Sequence, residues 1–198
     1  MAQRKLQVER LRDFLAQRPR LSTEGVGTST IYTPSAVLAP LFVHNGEPHL
    51  LFTKRSYEVE HYKGHISFPG GAYHPAEDGS LLLTALRETE EEIGLKPEHV
   101  EVVGELDSLI SMSGGFFIAP FVGVFPHPYP FQPSPIEVAE LIEVPLSHLL
   151  DRRFSWEERR PDGRMGWFFN YYGQVVWGST AVIVRQLLDI IQEEGLLE

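Results

Sequence analysis

The chain of 198 residues contains no cysteine. Disulfides, thiolate nucleophiles and zinc–thiolate sites are therefore excluded. Long apolar runs are also missing, since none approaches the roughly 20 residues that a membrane-spanning helix needs. Positive charge is scarce: 17 Lys and Arg stand against 27 Asp and Glu, a net charge of −10. An acidic surface repels a polyphosphate backbone, which argues against nucleic-acid and acidic-membrane partners. Met1–Lys5 leads into no apolar signal core, so the expectation is a soluble, cytoplasmic protein. The 8 histidines are scattered along the chain, which argues against a histidine metal site. Repeats and low-complexity tracts are absent, and 42% hydrophobic residues suffice for one domain with a sizeable core.

Acid, by contrast, is concentrated. The stretch Arg87-Glu88-Thr89-Glu90-Glu91-Glu92-Ile93-Gly94-Leu95 begins sixteen residues after Gly71 of the pair Gly70-Gly71. On a helix, Glu88, Glu91 and Glu92 fall at i, i+3 and i+4 and share one face. Leu82, Leu86, Thr89 and Ile93 fall on roughly the opposite face and give that helix something to bury. Crowded carboxylates repel one another unless a hard cation collects them, and such oxygen ligands suit Mg²⁺ or Mn²⁺. A bare E-x-x-E-E is more often a solvated face, so its surroundings decide its meaning.

Those surroundings alternate between strand and helix patterns. Leu6 to Leu15 reads as an amphipathic helix, ended by Pro19 and the polar run Ser22 to Ser29. Two apolar runs, Ser35–Val43 and His49–Thr53, flank Asn45-Gly46, a strong hairpin signal. His65–Phe68 reads as a short strand delivering the chain to Gly70-Gly71 and so to the acidic helix, where Gly94 suits the position just past its end. Val100–Ile110, Phe116–Phe125 and Ile136–Val144 read as strands, with the proline-rich loop Pro126–Pro135 between the last two. Aromatic strands with turns at Asp162-Gly163 and Tyr172-Gly173 precede a final helix over Ser179–Glu193.

The segment Gly70–Leu95 resembles the Nudix box, G-x5-E-x7-R-E-U-x-E-E-x-G-U with U apolar. Arg87, Glu88, Glu91, Glu92, Gly94 and Leu95 stand at its fixed positions. Two departures exist. Thr89 replaces an apolar residue, and the isolated Glu of the pattern falls on Gly79 in a longer linker, with Glu77 or Asp78 as candidates for the missing carboxylate. The resemblance implies an α/β/α sandwich with a mixed sheet between helices, and metal-dependent hydrolysis of a diphosphate linkage. It implies metal held by Glu88, Glu91, Glu92 and the Gly70 carbonyl, and catalysis involving Glu91, Glu92, Glu137 and Arg87. Arg87 is expected to orient a carboxylate through a bidentate contact rather than touch substrate. Glu92, Glu91 and Glu137 remain alternatives for the general base.

The preceding segment is similar to the extra motif of coenzyme A diphosphatases, LLTxRSxxxRxxxGxxxFPGG. Leu51-Phe52-Thr53-Lys54-Arg55-Ser56, Gly64 and Phe68-Pro69-Gly70-Gly71 carry that likeness, together with Ser113–Phe116, Glu137–Glu140 and Val176–Ala181. The second Arg of the motif is Glu60, a charge reversal, with Lys63, His61 or His65 nearby to take over its electrostatic work. This likeness implies coenzyme A or an acyl derivative as substrate, cleaved to 3′,5′-ADP and a 4′-phosphopantetheine product. Arg55, Lys54, Lys63 and Gly71 are the candidate substrate-binding residues. ADP-ribose or NADH as substrate, or a non-catalytic nucleotide-binding module, are the alternatives. Family analogy alone suggests a homodimer. Trp167, Phe168, Phe169, Tyr171, Tyr172 and Trp177 are expected in the core or an interface more than as a base-stacking platform.

Overall fold

The computed structural model describes residues 5–19, 32–111, 115–160, 163 and 165–198. The predicted loop at 22–29, the motif residues Ser113 and Gly114 and the turn residue Asp162 lie outside the described residues. The hairpin forms as its turn chemistry requires. β1 (Thr33–His44) and β2 (Glu47–Arg55) pair antiparallel, and Asn45 (φ 51°) and Gly46 (φ 78°) both take positive φ between them. Two positive φ values in a two-residue turn match the right-handed twist of the strands.

Two short strands follow, β3 (Ile66–Ser67) and β4 (Gly70–Ala72). The acidic helix α2 (Leu81–Ile93) then begins at Ser80, whose side chain accepts the Leu83 N–H, and ends at Gly94 with φ 72°. The side-chain cap satisfies one free N–H of the first turn, and a glycine takes the left-handed conformation beyond the end without a Cβ clash. β5 (Glu101–Glu105), β6 (Leu109–Ile110), β7 (Phe116–Val124) and β8 (Val138–Pro145) complete the main sheet. Its continuous order is β3-β2-β1-β7-β5, with β4 on β1, β6 on β7 and β8 on β2; β1 and β7 pair parallel, and the other pairings among the described residues are antiparallel.

Alternation along β1 divides the core. Ala36, Leu38 and Phe42 pack towards α2 with Ala85, Leu86, Ile93 and Phe121. Ala39 and Leu41 face the other way, into a cluster shared with α1 (Val8–Gln17) and α4 (Gly178–Glu193). The result is the expected mixed sheet with helices on both sides.

The structure differs from the sequence expectation in detail. The first helix starts at Val8 because Leu6 is bridged to Leu197 instead. The single strand expected over Val100–Ile110 is broken into β5 and β6. Asp107 donates its N–H to Oε1 of Gln186 on α4 at 3.0 Å, which takes that amide out of the ladder. The C-terminal aromatic segment forms a separate three-stranded sheet of β9 (Ser155–Arg159), β10 (Met165–Tyr171) and β11 (Gln174–Val176). A short helix α3 (Leu146–Leu149), not foreseen, leads towards it. One irregularity lies near the functional residues: β8 carries an extra residue opposite β2, Lys54 pairing with Glu140 and Arg55 with Val138, so that Ala139 is bulged.

Candidate active site

The carboxylates of α2 gather against the Gly70-Gly71 turn. Helical spacing brings Glu88 and Glu92 to the side of α2 that meets β4. A Cβ on Gly71 would lie 2.4 Å from the carboxyl carbon of Glu88, and one on Gly70 (φ 150°) 2.2 Å from the Ala36 carbonyl oxygen. Gly70 thus demands glycine through its backbone conformation and the neighbouring backbone, while Gly71 leaves the room that the Glu88 carboxylate occupies. Glu92 is only 6% exposed. Burial pushes its pKa up to about 8; repulsion from Glu137 and Glu88 adds to this, while Arg55 and a hydrogen bond from the Gly70 backbone oppose it. The half-buried Glu88 is raised as well, by burial first, against the pull of Arg87.

Arg87 organises the exposed flank of this set. Its Nε and Nη2 donate to the two oxygens of Asp78 at 2.8 and 3.0 Å. Its Nη1 lies 2.9 Å from Glu88 and 3.1 Å from Glu91. Asp78 is buried and also accepts from the Thr84 hydroxyl and the His74 N–H, at 3.0 and 2.9 Å. These hydrogen bonds, Arg87's above all, hold its carboxyl well below the usual carboxylate range. Of the two candidates for the missing box carboxylate, Asp78 is the one joined to Arg87. Glu77 instead lies 3.6 Å from the exposed His74 ring.

Glu137 stands just before β8, its carbonyl accepting the Ser56 N–H at 2.8 Å. Its carboxylate is exposed, makes no hydrogen bond or salt bridge among the described residues, and acts electrostatically on both Glu88 and Glu92. Arg55, the neighbour of Ser56, faces Glu92 and donates through Nε to the His61 carbonyl at 3.3 Å. The loop between them is closed on itself, with Gly64 N–H bonded to the Arg55 carbonyl and Arg55 N–H to the His65 carbonyl.

Gly70, Gly71 and Arg55 form one wall of a cavity of about 370 Å³. Tyr62, His65, Trp177 and the start of α4 at Gly178–Thr180 line it as well. The rings of His65 and Trp177 lie 4.7 Å apart, and burial together with Arg55 lowers the His65 pKa. Trp177 thus lies beside the candidate site, where the sequence favoured core or interface; Phe169, as expected, is core. No side chain caps the α4 N-terminus, so its free N–H groups and the Ser179 and Thr180 hydroxyls favour an anion there.

Lys54 and Lys63 are not brought to this cavity. Lys54 alternates with Arg55 along β2, faces the other side and lies 3.8 Å from Glu140. Lys63 is exposed in the loop, and Glu60 is exposed with the His61 ring 3.9 Å from it. The donor set fits a hard cation: Glu92 is a buried carboxylate repelled by two others, with Arg55 as its opposing cation. Elsewhere, the sequence expectation against a histidine metal site meets a different finding. His44, His127 and Glu143 converge, with one ligand atom from each within 4.8 Å of the others. They come from three separate segments, so no local spacing could have announced them.

Comparison with known proteins defines the class. The NUDIX domain family model matches residues 32–161. The chain belongs to the Nudix hydrolase family. It is 41% identical over 156 residues to a Pectobacterium atrosepticum protein named uncharacterized Nudix hydrolase NudL, covering 77% of this chain and 80% of that one. Likeness to the protein of the same name from Photorhabdus laumondii is 38% over 161 residues, 80% and 84% of the two chains. A MutT/nudix family protein from Enterococcus faecalis shares the fold, with TM-score 0.54 and 12% identity over 91% of this chain and 73% of that one. Among the described residues no helix is long and apolar enough to cross a membrane.

Proposed function

We propose that this chain hydrolyses the diphosphate of coenzyme A or an acyl-coenzyme A, releasing 3′,5′-ADP and a 4′-phosphopantetheine product. The observation that carries this reading is the Gly70-Gly71 wall, with carboxylates packed on it and the cavity beside it. Glu88, Glu91, Glu92 and the Gly70 carbonyl would hold Mg²⁺ or Mn²⁺, the ions that hard oxygen donors suit. A bound divalent ion supplies neutralisation of the phosphoryl oxygens and acidifies a coordinated water.

The residues of the chain then divide the work. Water adds to one phosphorus, one P–O bond of the bridge breaks, and the departing phosphate leaves as an anion. Arg87, itself fixed by Asp78, keeps Glu88 and Glu91 at a set orientation and need not touch substrate. Glu137 is the group we assign to take the proton from the attacking water, because no cation among the described residues ties its carboxylate and it acts on the same carboxylates. Arg55 and the α4 N-terminus present positive charge to the phosphates on the nucleotide side. Trp177 and His65 offer ring faces for a base or for the pantetheine arm.

Product analysis by mass spectrometry tests this reading. Coenzyme A, ADP-ribose, NADH and a nucleoside triphosphate are incubated in parallel with Mg²⁺, Mn²⁺ or EDTA. Metal-dependent release of 4′-phosphopantetheine and 3′,5′-ADP, faster than any other turnover, is expected. Faster cleavage of ADP-ribose or NADH would overturn the substrate and keep the chemistry.

A further inference from the structure

The far end of β1 carries a second set of ligand-type side chains. His44 closes β1, Glu143 lies on β8, and His127 follows β7 in the loop beyond Phe125. Alternation places His44 on the same face as Phe42, and Glu143 on the same face as Leu51, its partner across β2. His44 Nδ1 lies 3.6 Å from one Glu143 oxygen, and His127 Nε2 lies 3.5 Å from the other. The two imidazoles are 4.7 Å apart between centroids. His127 stacks on Phe42 at 4.6 Å, which fixes its ring plane. All three residues are partly exposed, so an ion could reach them from solvent. His49 stands next to His44 at 5.6 Å, but its Nδ1–H donates to the Glu47 carbonyl at 2.9 Å and it lies outside the converging trio.

We propose that His44, His127 and Glu143 form a binding site for a zinc-type divalent ion, separate from the carboxylate site on α2. Two imidazoles and a carboxylate are a donor set for such an ion, with solvent completing a tetrahedron. Zinc–ligand bonds of about 2.0–2.2 Å put tetrahedral ligand atoms roughly 3.3–3.6 Å apart. Each imidazole lies 3.5–3.6 Å from a Glu143 oxygen, and the trio, within 4.8 Å, needs only a small inward movement to close on an ion. Hard cations such as Mg²⁺ dehydrate reluctantly and favour oxygen, so the two sites select different ions. His44 is seven residues along β1 from Val37, the partner of Gly70, which separates the sites by roughly 23 Å at about 3.3 Å per residue. An ion there ties the end of β1, the loop after β7 and β8 into one cross-link. Its role is to hold strands, not to act on substrate.

The test uses the full chain, stripped with a chelator and kept in excess Mg²⁺ to occupy the oxygen-rich site. Zn²⁺ is titrated against a chromophoric competitor, and Co²⁺ serves as a spectroscopic probe. One Zn²⁺ per chain, a tetrahedral Co²⁺ spectrum and a Zn²⁺-dependent rise in Tm are expected. Losing one ligand should weaken binding at least as much as losing an outer-shell partner, about 100-fold. His127→Ala and the size-matched Glu143→Gln and His44→Asn should each do so, while Mg²⁺-supported turnover stays as in the parent. The size-matched pair guards against a variant that does not fold. Absence of one-to-one binding, an octahedral Co²⁺ spectrum, or unchanged affinity in the variants would overturn the site.

Discussion

The two ends of β1 gather ligand-type side chains by opposite means. Near Val37, oxygen donors come from one helix, three carboxylates within five residues, set against a glycine turn that admits them. At His44, two nitrogens and a carboxylate come from three segments that only the sheet brings together. The first arrangement is local in sequence and charged beyond what its neighbours neutralise. The second is remote in sequence and contains a single carboxylate. A local set tolerates poor internal compensation because the helix backbone holds it in place. A set drawn from two strands and a loop depends on the packing of Phe42 and Phe125 around it.

The sharpest way to break the comparison is to remove one donor from the carboxylate end. Glu92→Gln should lower turnover about 10³-fold, in the range seen when one electrostatic contact to the transition state is lost. The fold should persist, since an amide is easier to bury than a carboxylate; full activity with Mg²⁺ in steady-state assays would contradict the assignment. Asp78→Asn comes next. It strips the buried partner from Arg87 and should cost about 3 kcal/mol of stability by chemical denaturation.

A pH titration of stability sharpens the same contrast. The Glu92 pKa is raised in the folded chain, so the folded state binds a proton that the unfolded chain has already released above its ordinary range. Stability of the metal-free protein should therefore fall as pH rises, by about 1.4 kcal/mol per pH unit between roughly pH 5.5 and 7.5. In EDTA, Tm should follow this slope, and Glu92→Gln should flatten it; an unchanged slope in the variant would assign it to other groups. The smallest expected effect is at Arg55. Its replacement by Ala should raise KM for coenzyme A about tenfold, the loss of one charge-assisted contact. A substrate lacking the 3′-phosphate should be affected less, and equal changes would remove Arg55 from recognition of that group.

The contrast also explains how much could be read from the sequence. The hairpin at Asn45-Gly46, the acidic helix with its glycine stop and the apolar final helix were legible because each rests on local chemistry. Glu88, Glu91 and Glu92 were legible for the same reason, as a fixed helical spacing. The link between Asp78 and Arg87 was half legible: the carboxylate was sought in that loop, but which one turns inward depends on Thr84 and the His74 amide. The break between β5 and β6 was not legible, because its cause is Gln186, far along the chain. Nor was the position of Trp177 beside His65, which depends on how the separate three-stranded sheet leads into α4.

The bulge at Ala139 bears on how this site tolerates changes of length. Side chains along a strand alternate, so one extra residue reverses the parity of everything beyond it. Counting by twos from Ile142 and Val144, both in the core on the α1 and α4 side, would assign Val138 to that side as well. Val138 instead packs on the α2 side. The inversion also sets the step at which Glu137 meets Ser56, next to Arg55. Neutral substitutions along β8 leave that parity intact, whereas a one-residue deletion at Ala139 would rotate the strand end by half a turn. Indels, rather than point changes, are thus the evolutionary steps to which this edge of the site is most sensitive.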